Sequence, residues 1–411
     1  RFKAESVTTH REREFNSIYD GDYSAGTIFD GLIMFGDAEL TSWTEELRFT
    51  SSNTTGLRWV GGVYLDKDEE QIVTGMQMAK EMMQSPVDME MQSVSDTDAK
   101  TQAIFGQVML PLGDSFEVTL GGRYQRFNKT MHQDFYIVPV QGPFHANVTG
   151  MPAMSSQDLD TTWNIFLPKV ALAWFLSDRY TAYASFSKGY MPGGFNSFSM
   201  GGGPEENTFE PQKSTNYEIG IKADHDTWRI NLSAFYMDIT DIHIYKTIGN
   251  IYLTDNADKA HSLGVELEGT WLPIKGLELT AGISLMQAEY DDFDLGTVKL
   301  DGKEMEGSPT HNLRVGASYH HPSGLYGRMN VRHVGNVHYY DDTAKDLQEA
   351  DAYTLINVRL GWMYNNWDIY AFAKNLTDDK YINAFKGNSA MGGVASFGDP
   401  RSIGLGLSYS F

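Results

Sequence analysis

The sequence predicts an all-β chain folded as a transmembrane antiparallel β-barrel, and three observations predict it. The closing segment, Arg401 to Phe411, sets Ile403, Leu405, Leu407, Tyr409 and Phe411 against Ser402, Gly404, Gly406, Ser408 and Ser410. A strand of about ten residues with one greasy face and an aromatic end is what crosses lipid at a tilt. The same period of two recurs along the chain, and the connections between such segments alternate between short and long. No run of about 18 apolar residues occurs, which excludes a transmembrane helix. Aromatic residues nevertheless reach 13% and glycines number 40.

In chain order, Phe116, Val118, Leu120 and Tyr124 alternate with Glu117, Thr119, Gly121 and Arg123. Trp228, Ile230, Leu232, Ala234 and Tyr236 then face away from Arg229, Asn231, Ser233 and Phe235. Leu263, Val265, Leu267 and Trp271 oppose Gly264, Glu266, Glu268 and Thr270, and Ile356, Val358, Leu360 and Trp362 oppose Asn357, Arg359 and Gly361. Successive strand side chains point to opposite faces, so each run has an apolar side for lipid and a polar side for a lumen. Short connections fall at Ser51 to Gly56, Pro111 to Ser115, Ser177 to Asp178, Asp224 to Thr227, Pro273 to Gly276, His321 to Gly324 and Tyr364 to Asn366. Long ones lie between them, among them Glu69 to Asp96, Thr130 to Asp160 and Tyr245 to Lys259. Short periplasmic turns and long outer loops are the pattern of an outer-membrane barrel, and the count is about sixteen strands. Sixteen is also a porin's count, so a complete passive porin is the competing reading.

Charge and composition narrow the partners. Lys plus Arg total 32 against 54 Asp plus Glu, a formal charge of -22. A nucleic-acid partner is excluded on sign. The absence of cysteine rules out disulfides and thiolate metal sites. The chain opens on Arg1 within an extended segment and without a charged and then apolar leader, which reads as entry midway through a larger protein.

Several segments resemble the carboxy-terminal barrel of TonB-dependent receptors. The most specific are Gly398-Asp399-Pro400-Arg401-Ser402-Ile403-Gly404-Leu405 leading to Phe411, and Lys374-Asn375-Leu376-Thr377-Asp378 with Tyr381 after it. Phe186-Ser187-Lys188-Gly189-Tyr190-Met191-Pro192-Gly193-Gly194-Phe195-Asn196, Tyr217 to Lys222, Gly264 to Glu268, Gly121 to Tyr124, and Glu46 to Arg48 followed by Trp59 to Gly62 complete the set. The resemblance implies a 22-stranded barrel of which about sixteen strands are present. It also implies a plug domain and a coupling box that lie outside this chain. It further implies active uptake of a scarce nutrient across the bacterial outer membrane, energised by the TonB complex. The cargo is typically a ferric siderophore, and in other members cobalamin, haem, sugar or a metal such as copper. Outer-membrane lipid and lipopolysaccharide are the expected surroundings, and no cofactor is expected.

Candidate site residues follow from position. Arg123, Arg229, Glu266, Glu268, Asn330, Arg332 and Arg359 fall on polar strand faces and should line the lumen, since charge on the lipid face is costly. Packing within a wet wall is the simpler role for them. Tyr136, Tyr290, Tyr339 and Tyr340 sit in aromatic and acidic clusters read as outer-loop surfaces able to stack on a chelator or sugar. Met76, Met78, Met82, Met83, Met89 and Met91 crowd one loop; thioethers suit Cu(I), while methionine also fills irregular apolar gaps. No Gly-x-Ser-x-Gly elbow, His-Glu-x-x-His pair or phosphate-binding Gly-Lys-Ser/Thr loop occurs, so an enzyme is not expected.

Overall fold

The computed structural model describes residues 1–21, 32–142, 145–197, 207–248, 251–294, 299–341, 346–388 and 392–411. One antiparallel sheet of sixteen strands dominates it. The first seven strands are β1 (Phe2–Asp20), β2 (Ile33–Ser51), β3 (Arg58–Met78), β4 (Met89–Leu112), β5 (Phe116–Pro139), β6 (Ser155–Ser177) and β7 (Tyr180–Met191), with a short helix α1 (Lys80–Met83) between β3 and β4. A small hairpin, β8 (Gly194–Phe195) with β9 (Thr208–Phe209), separates them from β10 (Gln212–Asp224), β11 (Trp228–Ile248), β12 (Ile251–Ile274), β13 (Leu277–Asp292), β14 (His311–His320) and β15 (Leu325–Val334). Two further hairpins, β16 (Val337–Asp341) with β17 (Asp346–Ala350) and β20 (Ile382–Asn388) with β21 (Gly392–Phe397), flank β18 (Tyr353–Tyr364) and β19 (Trp367–Lys374); β22 (Ser402–Tyr409) ends the chain.

Every strand of the large sheet pairs with its neighbour in chain order. Among the described residues β1 pairs only with β2 and β22 only with β19. The sheet therefore keeps two free edges and lacks the first-to-last closure of a complete sixteen-stranded porin.

Cross-strand register sorts the two faces. Leu232 stands opposite Ile221 and Leu267, and Leu267 opposite Ile283. Val358 stands opposite Met329 and Ala373, and Ala373 opposite Ile403. This apolar face is the one a bilayer demands outside. Its lower edge is ringed by aromatics, with Trp228 opposite Trp271 and Trp367 opposite Tyr409. Asn231 lies opposite Lys222 and Glu268, and Asn330 opposite Gly316 and Asn357, on the other, inner face.

The short turns sit where the alternation stops, as expected. Gly276 and Gly324 hold them with φ of 86° and 88°. A Cβ there would meet the carbonyl oxygens of His320 and Met363 at 2.3 and 2.0 Å, so each turn also packs against the next hairpin. Within the inner wall other glycines lie under rings. A Cβ on Gly406 would fall 2.1 Å from Tyr370 Cζ, and one on Gly404 2.6 Å from Phe372 Cζ.

The long loops are shorter than the alternation indicates. β4 and β5 each run 24 residues. At about 3.3 Å per residue that is about 80 Å, whereas a tilted bilayer crossing takes about 9–11 residues. Most of Glu69 to Asp96 and nearly all of Tyr245 to Lys259 are strand continuing above the membrane. There both faces meet water or folded-in segments, so the hydrophobic period fades while the hydrogen-bonded ladder goes on.

Candidate functional site

Among the described residues the inner wall at membrane level carries recesses, three of which hold the polar-face candidates or their neighbours. Glu46, Arg48, Arg58, Phe105 and Arg123 border a recess of about 630 Å³. Arg123 Nε donates to Gln125 Oε1 at 2.9 Å, and its guanidinium lies 5.0 Å from the Tyr64 ring centre. Lys222, Asp224, Arg229, Asn231, Glu268 and Arg314 border a second of about 560 Å³, where Arg229 Nε donates to Asp224 Oδ1 at 2.9 Å. Glu266, two residues from Glu268 on the same face, accepts from Ser284 Oγ at 3.3 Å.

The third recess, about 360 Å³, is bordered by Arg328, Asn330, Asn357, Arg359, Tyr370 and Lys374. Arg359 Nη2 pairs with Asp368 Oδ2 at 2.7 Å, its Nε donates to Tyr326 Oη at 2.9 Å, and its guanidinium lies 3.5 Å over the Tyr370 ring. Arg332 faces Arg314 on the same side of the wall. The seven polar-face candidates thus fall on one face of the sheet but spread over separate recesses.

Above the membrane the inner face of β4, β5 and β6 is covered. Gln133, 2% exposed, donates through Nε2 to Ser93 Oγ at 3.0 Å and to Ser197 O at 2.7 Å, and accepts from Gln157 Nε2. Asn196 Nδ2 donates to Thr254 O at 3.0 Å and its Oδ1 accepts from Thr254 N at 2.8 Å. Phe195 of β8 packs with Met131 and Leu159, whose side chains point inward from β5 and β6. The segment after β7 is therefore folded into the mouth and tied to β4, β5, β6 and β12. These uncharged anchors gave no sequence signal beyond their place on the alternating inner face.

A second inward cluster joins Ile239, Ile242 and Ile244 to Tyr290, Phe293 and Leu300, with Met305, Tyr340 and Leu347 against them. Tyr290 is 4% exposed and burial pushes its hydroxyl up to about 12. Burial also raises the Glu306 carboxyl, which accepts from Tyr340 N. On β5, burial lowers the Lys129 ammonium while Glu70 and Asp68 pull it back up.

Two placements need correction. Tyr136 and Tyr290 are strand residues packed in apolar clusters, and Tyr339 and Tyr340 belong to β16. Tyr136 shares the outward face of β5 with His132 and Asp134, packed against Val138 and Ala146, because the segment after β5 folds over the outside. Asp342, in the same aromatic and acidic run as Tyr339, lies outside the described residues. The methionine loop is mainly a strand pair, with Met76 opposite Met91 and Met78 opposite Met89, while Met82 and Met83 ride on α1. Met34 lies opposite Met76, so three thioethers form a row on the inner face. Met76 and Met78 are buried with Leu32, and Met34, Met82, Met91 and Leu253 pack on them. Met83 is exposed.

Comparison with known proteins places this geometry. The family model described as "TonB dependent receptor-like, beta-barrel" matches residues 3–376. The pesticin receptor of Yersinia pestis is 25% identical over 383 residues, covering 90% of this chain and 52% of that protein. The chain therefore spans about half the length of that curated relative. Among solved structures, the ferric yersiniabactin uptake receptor FyuA from Yersinia pestis superposes with a TM-score of 0.81 at 20% identity, covering 100% of this chain and 59% of FyuA. The siderophore receptor PiuA from Acinetobacter baumannii gives 0.74 at 14% identity, covering 99% and 62%. With an apolar outer face, a polar inner wall and a family match over most of its length, the chain belongs to the TonB-dependent receptors of the bacterial outer membrane and forms part of their β-barrel.

Proposed function

We propose that this chain is the wall of an active importer that brings a ferric siderophore or similar iron chelate across the outer membrane, energised through TonB. In this reading a plug domain, the coupling box and the remaining barrel strands belong to protein outside these 411 residues. The apolar belt meets lipid and the rim meets lipopolysaccharide. The observation that carries the reading is the covered mouth, where the segment around Phe195 and Asn196 and the cluster around Tyr290 fold inward. A passive pore works by leaving that path open. A gated importer needs a shaped mouth above a polar wall, and Arg123, Arg229, Glu266, Glu268, Asn330, Arg332 and Arg359 supply polarity without a continuous apolar barrier. The relatives named above supply the chelate class.

The test is uptake of radiolabelled ferric chelates by cells carrying the intact gene as their only such receptor. Accumulation should stop when a protonophore collapses the proton gradient, while surface binding persists. Accumulation that continues at the same rate after collapse would leave the passive pore as the correct reading. The row of Met34, Met76 and Met91 favours a second cargo, Cu(I), on the same barrel.

A further inference from the structure

On the outer face, where the apolar band ends toward the extracellular side, two histidines meet. His311 Nε2 and His333 Nε2 are 3.3 Å apart. His333 stands opposite Leu313 on β14 and opposite Thr354 on β18, and His311 is one outward step above Leu313. Each ring is held from behind: His311 Nδ1 lies 3.1 Å from Thr310 Oγ1, and His333 Nδ1 lies 2.9 Å from Thr354 Oγ1. When the threonine hydroxyl accepts the Nδ1 proton, Nε2 keeps its lone pair for a cation. With both rings in that tautomer, the two Nε2 lone pairs share one gap that a cation can fill.

The spacing says which kind. Zinc–imidazole bonds of about 2.0–2.1 Å at a tetrahedral angle put two ligand nitrogens about 3.3 Å apart. We propose that His311 and His333 form a two-imidazole clip for a divalent transition-metal ion such as Zn²⁺, joining β14 to β15 at the outer rim. Imidazole pairs suit Zn²⁺, Cu²⁺ and Ni²⁺ rather than Ca²⁺ or Mg²⁺, which take oxygen. Water or a lipid phosphate fills the remaining coordination positions. The rings are half-buried, open enough for an ion from the medium. The clip is independent of the cargo, because it lies on the face away from the lumen. The competing account is a single proton shared between the two Nε2 atoms, with no metal.

The test uses the intact receptor in detergent, freed of metal by chelation, at pH 7.5. Cu²⁺ serves as the spectroscopic probe and Zn²⁺ as the thermodynamic one. The unaltered protein should take one more equivalent of tightly held Cu²⁺ than H311Q/H333Q, with the electron-spin splitting of two equivalent nitrogens. Zn²⁺ should raise its thermal midpoint and leave that of the double variant unmoved. T354V keeps both imidazoles but frees the His333 ring, and should weaken Zn²⁺ binding by about 10-fold or more. Heat-modifiable gel migration establishes that each variant is folded, and H311Q alone, which leaves the His333–Thr354 bond in place, repeats the comparison if the double variant does not fold. Equal Cu²⁺ stoichiometry and equal Zn²⁺ response in the unaltered protein and the folded variants would overturn the clip and leave the shared proton.

Discussion

Leu232→Arg is the sharpest test of which face meets lipid. Leu232 lies four residues along β11 from Trp228, which pairs with Trp271 in the lower aromatic ring. At about 3.4 Å per residue and about 45° of tilt, that is about 10 Å of depth, close to the middle of an apolar band about 25 Å tall. An arginine at that depth costs about 2–4 kcal/mol, and the near-central position puts the expectation at about 3 kcal/mol or more. The adjacent residue supplies the control. Asn231 faces inward between Glu268 and Lys222, so Asn231→Arg meets one opposite and one like charge in a wet wall and should change stability by less than about 1 kcal/mol. Both variants, with Leu232→Ala to account for the lost side chain, would be refolded into phosphatidylcholine bilayers and unfolded in urea while tryptophan fluorescence is followed. Equal costs at 231 and 232, or a larger cost at 231, would refute the face assignment along β11.

Two further predictions concern the mouth. Because burial raises the Glu306 carboxyl, the folded state holds that proton more tightly than the unfolded chain. Its contribution is full below the ordinary carboxyl value and is lost as pH rises through the raised one. Glu306→Gln should therefore be more stable than the unaltered protein at pH 8 and no more stable at pH 4, read from thermal melts; a gain of equal size at both values would show that the carboxyl is not perturbed. Replacing Met34, Met76, Met78, Met82, Met83, Met89 and Met91 with leucine keeps the apolar bulk and removes the soft ligands. Unchanged Cu(I) binding and copper-dependent growth would assign the row to packing, whereas loss of both with the fold intact would support the copper cargo.

The membrane-level wall was legible because lipid enforces a strict period of two. The short connections marked by Ser177-Asp178, Asp224 to Thr227 and Tyr364 to Asn366 each separate consecutive strands of the sheet. Above the bilayer that constraint lapses: on β4, Ser93 and Ser95 face inward and are buried, yet neither looks apolar. The strand extensions consequently read as loops. The mouth was illegible for a related reason, since Gln133, Asn196 and Thr254 are ordinary polar residues whose meeting depends on a segment folding in from β7. Tyr136 misled because its side of β5 is outward, and only the later part of the chain shows that it is covered. His311 and His333 are far apart in sequence and meet through strand register alone.

The glycines beneath Tyr370 and Phe372 also set the depth of the inner wall. A ring on a barrel wall can stand upright, projecting several ångströms toward the axis, or lie along the wall. It lies down only where the neighbouring strand offers no Cβ, and Gly406 and Gly404 provide that clearance. Tyr326 lies over Gly361 in the same way, and Tyr183 over Gly220. The wall thus carries aromatic surface without spending cross-section on it. A single methyl group at any of these glycines would tip a ring off the wall and inward at that level, so residues with no side chain govern how far the inner face projects.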